Sequence, residues 1–218
     1  MTPHGPSSEL KGRILTAVKA EPAPTQSAVR RRGWLALCIG AAVAVSIFAH
    51  FGGVRVSGRP ALLIVLTCLG WSVLGAAAAF LAVARGRTML GRSTASLVIL
   101  VAAVPLVLLA WKVGVTVPFG PEMSARWSGR PGFRCLGLTL AMAAPLLVAL
   151  LVMRRRNDPV HPGIAGAALG MVAAVSAGAL VDLWCPVAYL PHVLLGHILP
   201  LVIAAALGAW AGRRLLPP

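Results

Sequence analysis

Six long apolar runs limit what this chain can fold into. Each run is about as long as the ~20 helical residues that cross a ~30 Å hydrocarbon core. Lipid offers no hydrogen-bond partner to an open backbone, so a segment that crosses it must be helical. The sequence therefore predicts an all-α protein, a bundle of six transmembrane helices. The runs are approximately Trp34–Phe51, Ala61–Ala84, Thr94–Val117, Phe133–Met153, Pro162–Val181 and Leu190–Ala211.

The charge content supports this interpretation. Only 11% of the residues are charged and 58% are hydrophobic, whereas soluble domains carry about 25% charged residues. The chain has 20 Lys and Arg against 5 Asp and Glu, and such an excess can indicate nucleic-acid binding. Here the arginines flank the apolar runs, which is typical of membrane topology signals. We therefore expect a lipid bilayer and no nucleic acid as a partner.

The basic residues also predict the orientation, because cytoplasmic loops of membrane proteins are enriched in Lys and Arg. With the N-terminus inside, the inner segments carry fourteen of them and the outer segments five. We therefore predict that both termini are cytoplasmic. Lys112 is left over near the outer end of the third run, where we expect it to snorkel to the membrane surface. The inner set is Lys11, Arg13, Lys19, Arg30, Arg31, Arg32, Arg85, Arg87, Arg92, Arg154, Arg155, Arg156, Arg213 and Arg214, and the outer set is Arg55, Arg59, Arg126, Arg130 and Arg134.

The first 33 residues are polar and predict a short cytoplasmic tail, followed by the membrane domain over 34–216. No apolar segment closely follows the first Met, so we do not expect a cleaved signal peptide. Leu10, Ile14 and Val18 lie on one face of a possible short amphipathic helix. A helix this short is marginal alone in water, so it would order against a protein groove or a lipid surface.

Small residues and prolines predict features of helix packing and shape. Small residues four apart allow membrane helices to approach closely. Pro105, Pro145 and Pro200 lie inside the third, fourth and sixth apolar runs, and we expect each to kink its helix. The small residues are Gly166, Gly170, Ala174 and Gly178 in the fifth run and Ala204, Gly208 and Gly212 in the sixth.

Reactive side chains gather between Val181 and His197, around the end of the fifth run and the start of the sixth. The sequence contains no paired carboxylates and no common catalytic motif. Ionisable residues inside the spans, which mark ion pathways and membrane enzymes, are few. We therefore predict that the chain is not an enzyme and has no small-molecule substrate.

Two cysteines share the outer face with these residues in the predicted topology. Cys135 opens the fourth helix and Cys185 follows the fifth. The pair can form a disulfide if their Cα atoms lie within about 7 Å. With His192 and His197 it can instead bind a soft metal ion, or both cysteines can be ordinary helix-end residues without contact. Cys38 and Cys68 are expected to be small buried apolar residues.

These features together resemble the NrsF-type membrane anti-sigma factors, which are negative regulators of an extracytoplasmic-function (ECF) sigma factor. The resemblance covers nearly the whole chain, and Cys185-Pro186 with the following histidines is its most specific part. The matching pieces are Leu10–Lys11 through Ala20–Pro22, Phe133–Leu136, Val160–Gly163, Cys185–Pro186, His192, His197 and Leu207–Leu215.

The resemblance implies a protein of the bacterial inner membrane that holds an ECF sigma factor and releases it on a signal. It implies that Cys135 and Cys185 are an outer sensing pair, and that Leu10, Ile14 and Val18 dock the sigma factor. No permanent cofactor is expected, although a soft metal ion can be the transient signal. Two other classes stay open: a small transporter or channel, which needs a polar path, and a structural subunit whose basic tail lies on anionic lipid.

Overall fold

The computed structural model describes residues 9, 12, 13, 16, 26–54, 60–83, 93–119, 131–155, 161–185, 187 and 189–216. These residues form helices and short connections and include no β-strand. The six long helices are α1 (Gln26–His50), α2 (Ala61–Val83), α3 (Thr94–Thr116), α4 (Phe133–Arg154), α5 (Pro162–Trp184) and α6 (Leu190–Leu215). A short 3₁₀ turn, Val117–Phe119, extends α3, and Leu194–Ile198 within α6 are π-helical.

All six helices are long and apolar enough to cross a membrane. The predicted all-α bundle of six transmembrane helices is therefore confirmed. Large apolar side chains are exposed on the outside of the bundle, for example Phe80 on α2 and Leu106 on α3. Extensive exposed apolar surface marks a membrane contact, so these side chains face lipid.

Three helix boundaries differ from the predicted ones by three residues or more, and one of them is the end of α6, at Leu215 rather than at Ala211. The first helix begins at Gln26 rather than at Trp34, because arginine is a good helix former and Arg30–Arg32 continue the helix beyond the apolar run. The predicted division between residues 33 and 34 therefore lies inside α1. The fifth helix continues to Trp184 rather than ending at Val181, so Asp182 lies in its last turn.

The most buried helix is α5, which packs against α6 along the predicted stripe of small residues. A Cβ atom added to Gly166 would collide with the Gly208 carbonyl of α6, and one added to Gly170 would collide with the Ala204 carbonyl. The same stripe also lets α5 pack closely against α2, because a Cβ on Gly178 would lie 2.5 Å from the ring of Trp71 in α2. The small residues thus let α5 approach α6 and α2 at backbone distance.

Hydrogen bonds from polar side chains join α3 and α4 to α2. The Trp111 indole of α3 donates a hydrogen bond to the Leu66 carbonyl of α2 at 3.1 Å. At the other end of the bundle, the Arg154 guanidinium of α4 donates to the Ala82 carbonyl of α2 at 2.7 Å. These bonds hold helix backbones whose own side chains are almost entirely apolar.

Candidate functional site

Two cysteines and two histidines meet where α4 begins, α5 ends and α6 begins. Cys135 lies in the first turn of α4, Cys185 directly follows α5, and His192 and His197 belong to α6. All four are buried, and their potential ligand atoms lie within 4.8 Å of one another. The structure therefore brings together the four residues that the sequence proposed as metal ligands. We call this group the Cys–His cluster.

The π-helical segment of α6 explains how the two histidines reach the same site. His192 and His197 are five residues apart, and in an α-helix only residues three and four apart face each other. A π-helix closes its hydrogen bonds between residues five apart, and here the Leu199 amide donates to the Leu194 carbonyl. The two imidazole rings consequently lie with their centroids 5.7 Å apart.

The sequence gives one partial signal for this segment. A proline ring clashes with the carbonyl of the residue four positions earlier in an α-helix. For Pro200 that residue is Gly196, at the centre of the π turn. A π turn therefore lies directly before Pro200, and the kink expected at this proline stays a prediction.

Two glycines allow the start of α4 to pack directly against the π turn. A Cβ atom on Gly132 would lie 2.6 Å from the Gly196 amide nitrogen and 2.8 Å from the His192 carbonyl oxygen. A Cβ on Gly196 would lie 2.9 Å from the Cys135 Cβ. Only glycine at both positions allows this approach, and the approach is what places Cys135 beside the two histidines.

His192 lies between the two cysteines. Its Nε2 atom is 3.4 Å from the Cys135 sulfur and 3.2 Å from the Cys185 sulfur, and both cysteines are free thiols. A hydrogen bond from Cys135 and a further one with His192 lower the pKa of the Cys185 thiol, although burial raises it. A lowered pKa favours the thiolate, which is the form of cysteine that binds metals.

His197 is fully buried, and neither of its ring nitrogens has a hydrogen-bond partner among the residues that the structure describes. Leaving a buried polar atom unsatisfied costs about 1–3 kcal/mol, so such an atom calls for a ligand or another role. An imidazole directed into a group with two thiols is one that a metal ion would satisfy.

The four residues fit a tetrahedral metal ion. Zn–S bonds of about 2.3 Å and Zn–N bonds of about 2.0–2.1 Å require ligand atoms roughly 3.3–3.8 Å apart. The two sulfur–Nε2 distances are already near this range, and the largest separation of 4.8 Å needs only a small contraction. Two sulfur and two nitrogen ligands in a tetrahedron favour zinc or a comparably soft ion.

An ion pair adjoins the cluster, and it corrects the expectation for Lys112. This side chain does not snorkel to the surface: it is 4% exposed and forms a salt bridge with Asp182 of α5, which is 2% exposed. The cost of burying a charge in a membrane protein is reduced by pairing. Oδ1 of the same carboxylate lies 4.0 Å from Nδ1 of His197.

Other predicted residues lie elsewhere. Cys38 is exposed on α1 and Cys68 is half-buried in α2, so the expectation that both are buried is wrong for Cys38 and only partly met by Cys68. The proposed docking residues Leu10, Ile14 and Val18 lie outside the described part of the chain.

Comparison with protein families gives one match. The family model described as NrsF, negative regulator of sigma F, matches residues 17–217. The matched region includes all six helices and every member of the Cys–His cluster. No curated protein and no solved structure matches the chain.

Proposed function

Because the chain belongs to the NrsF family of negative regulators of sigma F, we propose that it is an inner-membrane anti-sigma factor. It sequesters an ECF sigma factor at the cytoplasmic face and releases it when a signal reaches the periplasmic face. Family membership supports the negative regulation of a sigma factor, and the six apolar helices support a multi-pass membrane location. The ECF type of the sigma factor, the location in the inner membrane and the signal at the periplasmic face are parts of this proposal.

The proposed orientation has both termini in the cytoplasm. It rests on the excess of Lys and Arg in the segments that would then be inside. In this orientation the N-terminal tail meets the sigma factor, and Leu10, Ile14 and Val18 supply the apolar face that docks on it. A segment that orders on binding is suited to regulation, because the cost of ordering keeps its affinity moderate.

The Cys–His cluster is the observation that carries the sensing part of the proposal. It lies at the end of the bundle opposite the N-terminus of α1. All four side chains are buried, and neither nitrogen of His197 has a hydrogen-bond partner among the described residues. A metal ion bound there would draw together the ends of three helices, α4, α5 and α6. A coupling free energy of 1–3 kcal/mol between this site and the tail would change the affinity for the sigma factor about 5–150-fold.

The docking part is tested by placing charge on the apolar face of the tail. We expect Leu10→Asp combined with Ile14→Asp in the full-length protein to abolish repression in a sigma-dependent reporter strain. Thr16→Asp is the matched control, because Thr16 is exposed and lies on the opposite side of the predicted helix. Unchanged repression by the double variant, at equal protein levels, would refute docking through this face.

The sensing part is tested with purified full-length protein in lipid nanodiscs and the sigma factor that co-purifies with it. We expect Zn²⁺ to weaken the complex about 5–150-fold, and Cys135→Ser or Cys185→Ser to remove this effect. Cys68→Ser is the control, since Cys68 is a thiol outside the cluster. If Zn²⁺ has no effect while an oxidant releases the sigma factor through Cys135 and Cys185, the signal is disulfide formation and the metal proposal is wrong.

A further inference from the structure

We propose that Asp182 and Lys112 connect the Cys–His cluster to α3 and thereby carry the sensing event to the other face of the membrane. In this proposal Asp182 is a positioning residue for His197, and Lys112 transmits a change at Asp182 to its own helix. The inference rests on the proposed function, because it assumes that the cluster binds a metal ion.

Three helices meet at one carboxylate. Asp182 belongs to α5, Lys112 to α3 and His197 to α6. All three side chains are at least 95% buried, and Oδ1 of Asp182 is both the acceptor of the Lys112 ammonium and the atom 4.0 Å from His197 Nδ1. The same oxygen is therefore within reach of a charge on one neighbouring helix and of an imidazole on the other.

Metal binding at His197 would favour a new hydrogen bond from its ring to Oδ1 of Asp182. With Nδ1 turned towards Asp182, Nε2 is the nitrogen left for the metal. A metal-bound histidine almost always donates its other ring N–H to a carboxylate, a carbonyl or water, which fixes the ring and the tautomer. Closing the 4.0 Å separation to a charge-assisted hydrogen bond of about 2.8 Å requires the carboxylate and the ring to approach each other by about 1 Å.

The approach affects α3 because Lys112 is bound to the same atom. As Oδ1 turns towards His197, the ammonium must follow it or lose part of the ion pair, and an unpaired charge is costly in this buried position. Lys112 lies near one end of α3, and at the other end the helix begins at Thr94 after the second inner loop. A continuous helix that is displaced at its outer end shifts its inner end at Thr94, on the side that faces the sigma factor in the proposed orientation.

The test separates metal binding from its transmission by using charge variants of the pair. Metal affinity is measured with Co²⁺, whose thiolate complexes absorb in the near ultraviolet, on full-length protein in nanodiscs. We expect Asp182→Asn to lower Co²⁺ affinity about 10–100-fold. Lys112→Met removes the charge but not the carboxylate, so Co²⁺ affinity should stay within about threefold of the wild type, while Co²⁺ no longer changes the affinity for the sigma factor.

The double variant Lys112→Met with Asp182→Asn keeps the test decisive if either single variant fails to fold, because it leaves no unpaired charge. It should bind Co²⁺ as weakly as Asp182→Asn and show no response of the sigma-factor affinity. Wild-type Co²⁺ affinity and wild-type release in the folded double variant would overturn the inference. Failure of wild-type protein to bind Co²⁺ or to release the sigma factor would instead contradict the proposed function, so the two failures are distinguishable.

Discussion

Replacement of Gly132 by alanine tests whether the close approach of α4 to the π turn sets the geometry of the Cys–His cluster. The added Cβ would lie 2.6 Å from the Gly196 nitrogen, whereas ordinary van der Waals contact begins near 3.4 Å. The two backbones must therefore separate by about 0.8 Å, the difference between these distances. No rotamer change can relieve the contact, because the nearest atoms are backbone atoms. The φ of −75° and ψ of 4° at Gly132 are open to alanine, so the effect is one of packing.

The separation should weaken metal binding. Cys135 lies one turn from Gly132, so its sulfur moves away from His192 Nε2 together with the backbone, whereas metal–ligand distances tolerate only about 0.2 Å. Overpacking a close contact costs about 1–3 kcal/mol, and a loss of this size in metal binding corresponds to about 5–150-fold in affinity. We therefore expect Gly132→Ala to reduce Zn²⁺ affinity by one to two orders of magnitude.

The assay is a competition titration of Zn²⁺ against Co²⁺ with full-length protein in nanodiscs. Gly137→Ala is the matched control, because it makes the same change in the same helix and its Cβ meets nothing within 4 Å. Its affinity should equal that of the wild type. If Gly132→Ala is folded, by circular dichroism and thermal unfolding, and also binds Zn²⁺ with wild-type affinity, the argument from backbone approach is refuted.

Three further predictions concern stability and metal removal. Gly208→Ala should destabilise the protein by about 1–3 kcal/mol, because its Cβ would collide with the Gly166 carbonyl. Gly114→Ala, whose Cβ would have no neighbouring atom within 4 Å, should leave the thermal midpoint unchanged or higher. Equal midpoints for the two variants would contradict this packing. Trp71→Ala should cost about 3–5 kcal/mol, since the side chain is 1% exposed and fills the space beside Gly178; a loss below 1 kcal/mol in a denaturant titration would show that the neighbouring helices close the cavity. Zn²⁺ at 100 times its dissociation constant should stabilise the protein by about 2.7 kcal/mol, and a chelator should reverse both this gain and the release of the sigma factor; stabilisation that persists in a variant lacking both cysteines would place the ion elsewhere.

The membrane solvent explains why the fold could be predicted. In lipid each apolar run has one solution, a helix, and alternation of the helices then places the start of α4 and the end of α5 on one side. This alternation alone brings Cys135 and Cys185 to the same side and makes His192 and His197 their expected neighbours. Apart from the packing faces that small residues mark on α5 and α6, it gave no lateral arrangement of the helices, because apolar side chains of similar size favour many neighbours about equally.

Two of the features that escaped prediction depend on that lateral arrangement. Lys112 could be assigned to a helix end from the sequence, but its partner Asp182 became apparent only once α3 was packed against α5. The π turn depends on the contact between Gly132 and Gly196 as well as on the proline that follows it. The early start of α1 has a simpler cause. Hydropathy marks where the lipid-facing part of a helix begins, whereas the helix itself extends as far as its backbone hydrogen bonds do.

The π turn in α6 has a consequence for how this site is to be found in related sequences. A π turn holds one residue more than the α-helical turn that it replaces. The side chains before and after it therefore point in the same directions as they would in an α-helix without the extra residue. A relative lacking one residue at the exposed position of Leu194 would have an ordinary α-helix, with its two histidines four residues apart and again on one face. A search that requires the spacing of this chain would miss such relatives, whereas one that accepts a spacing of four or five would recognise the same placement of the two histidines in both.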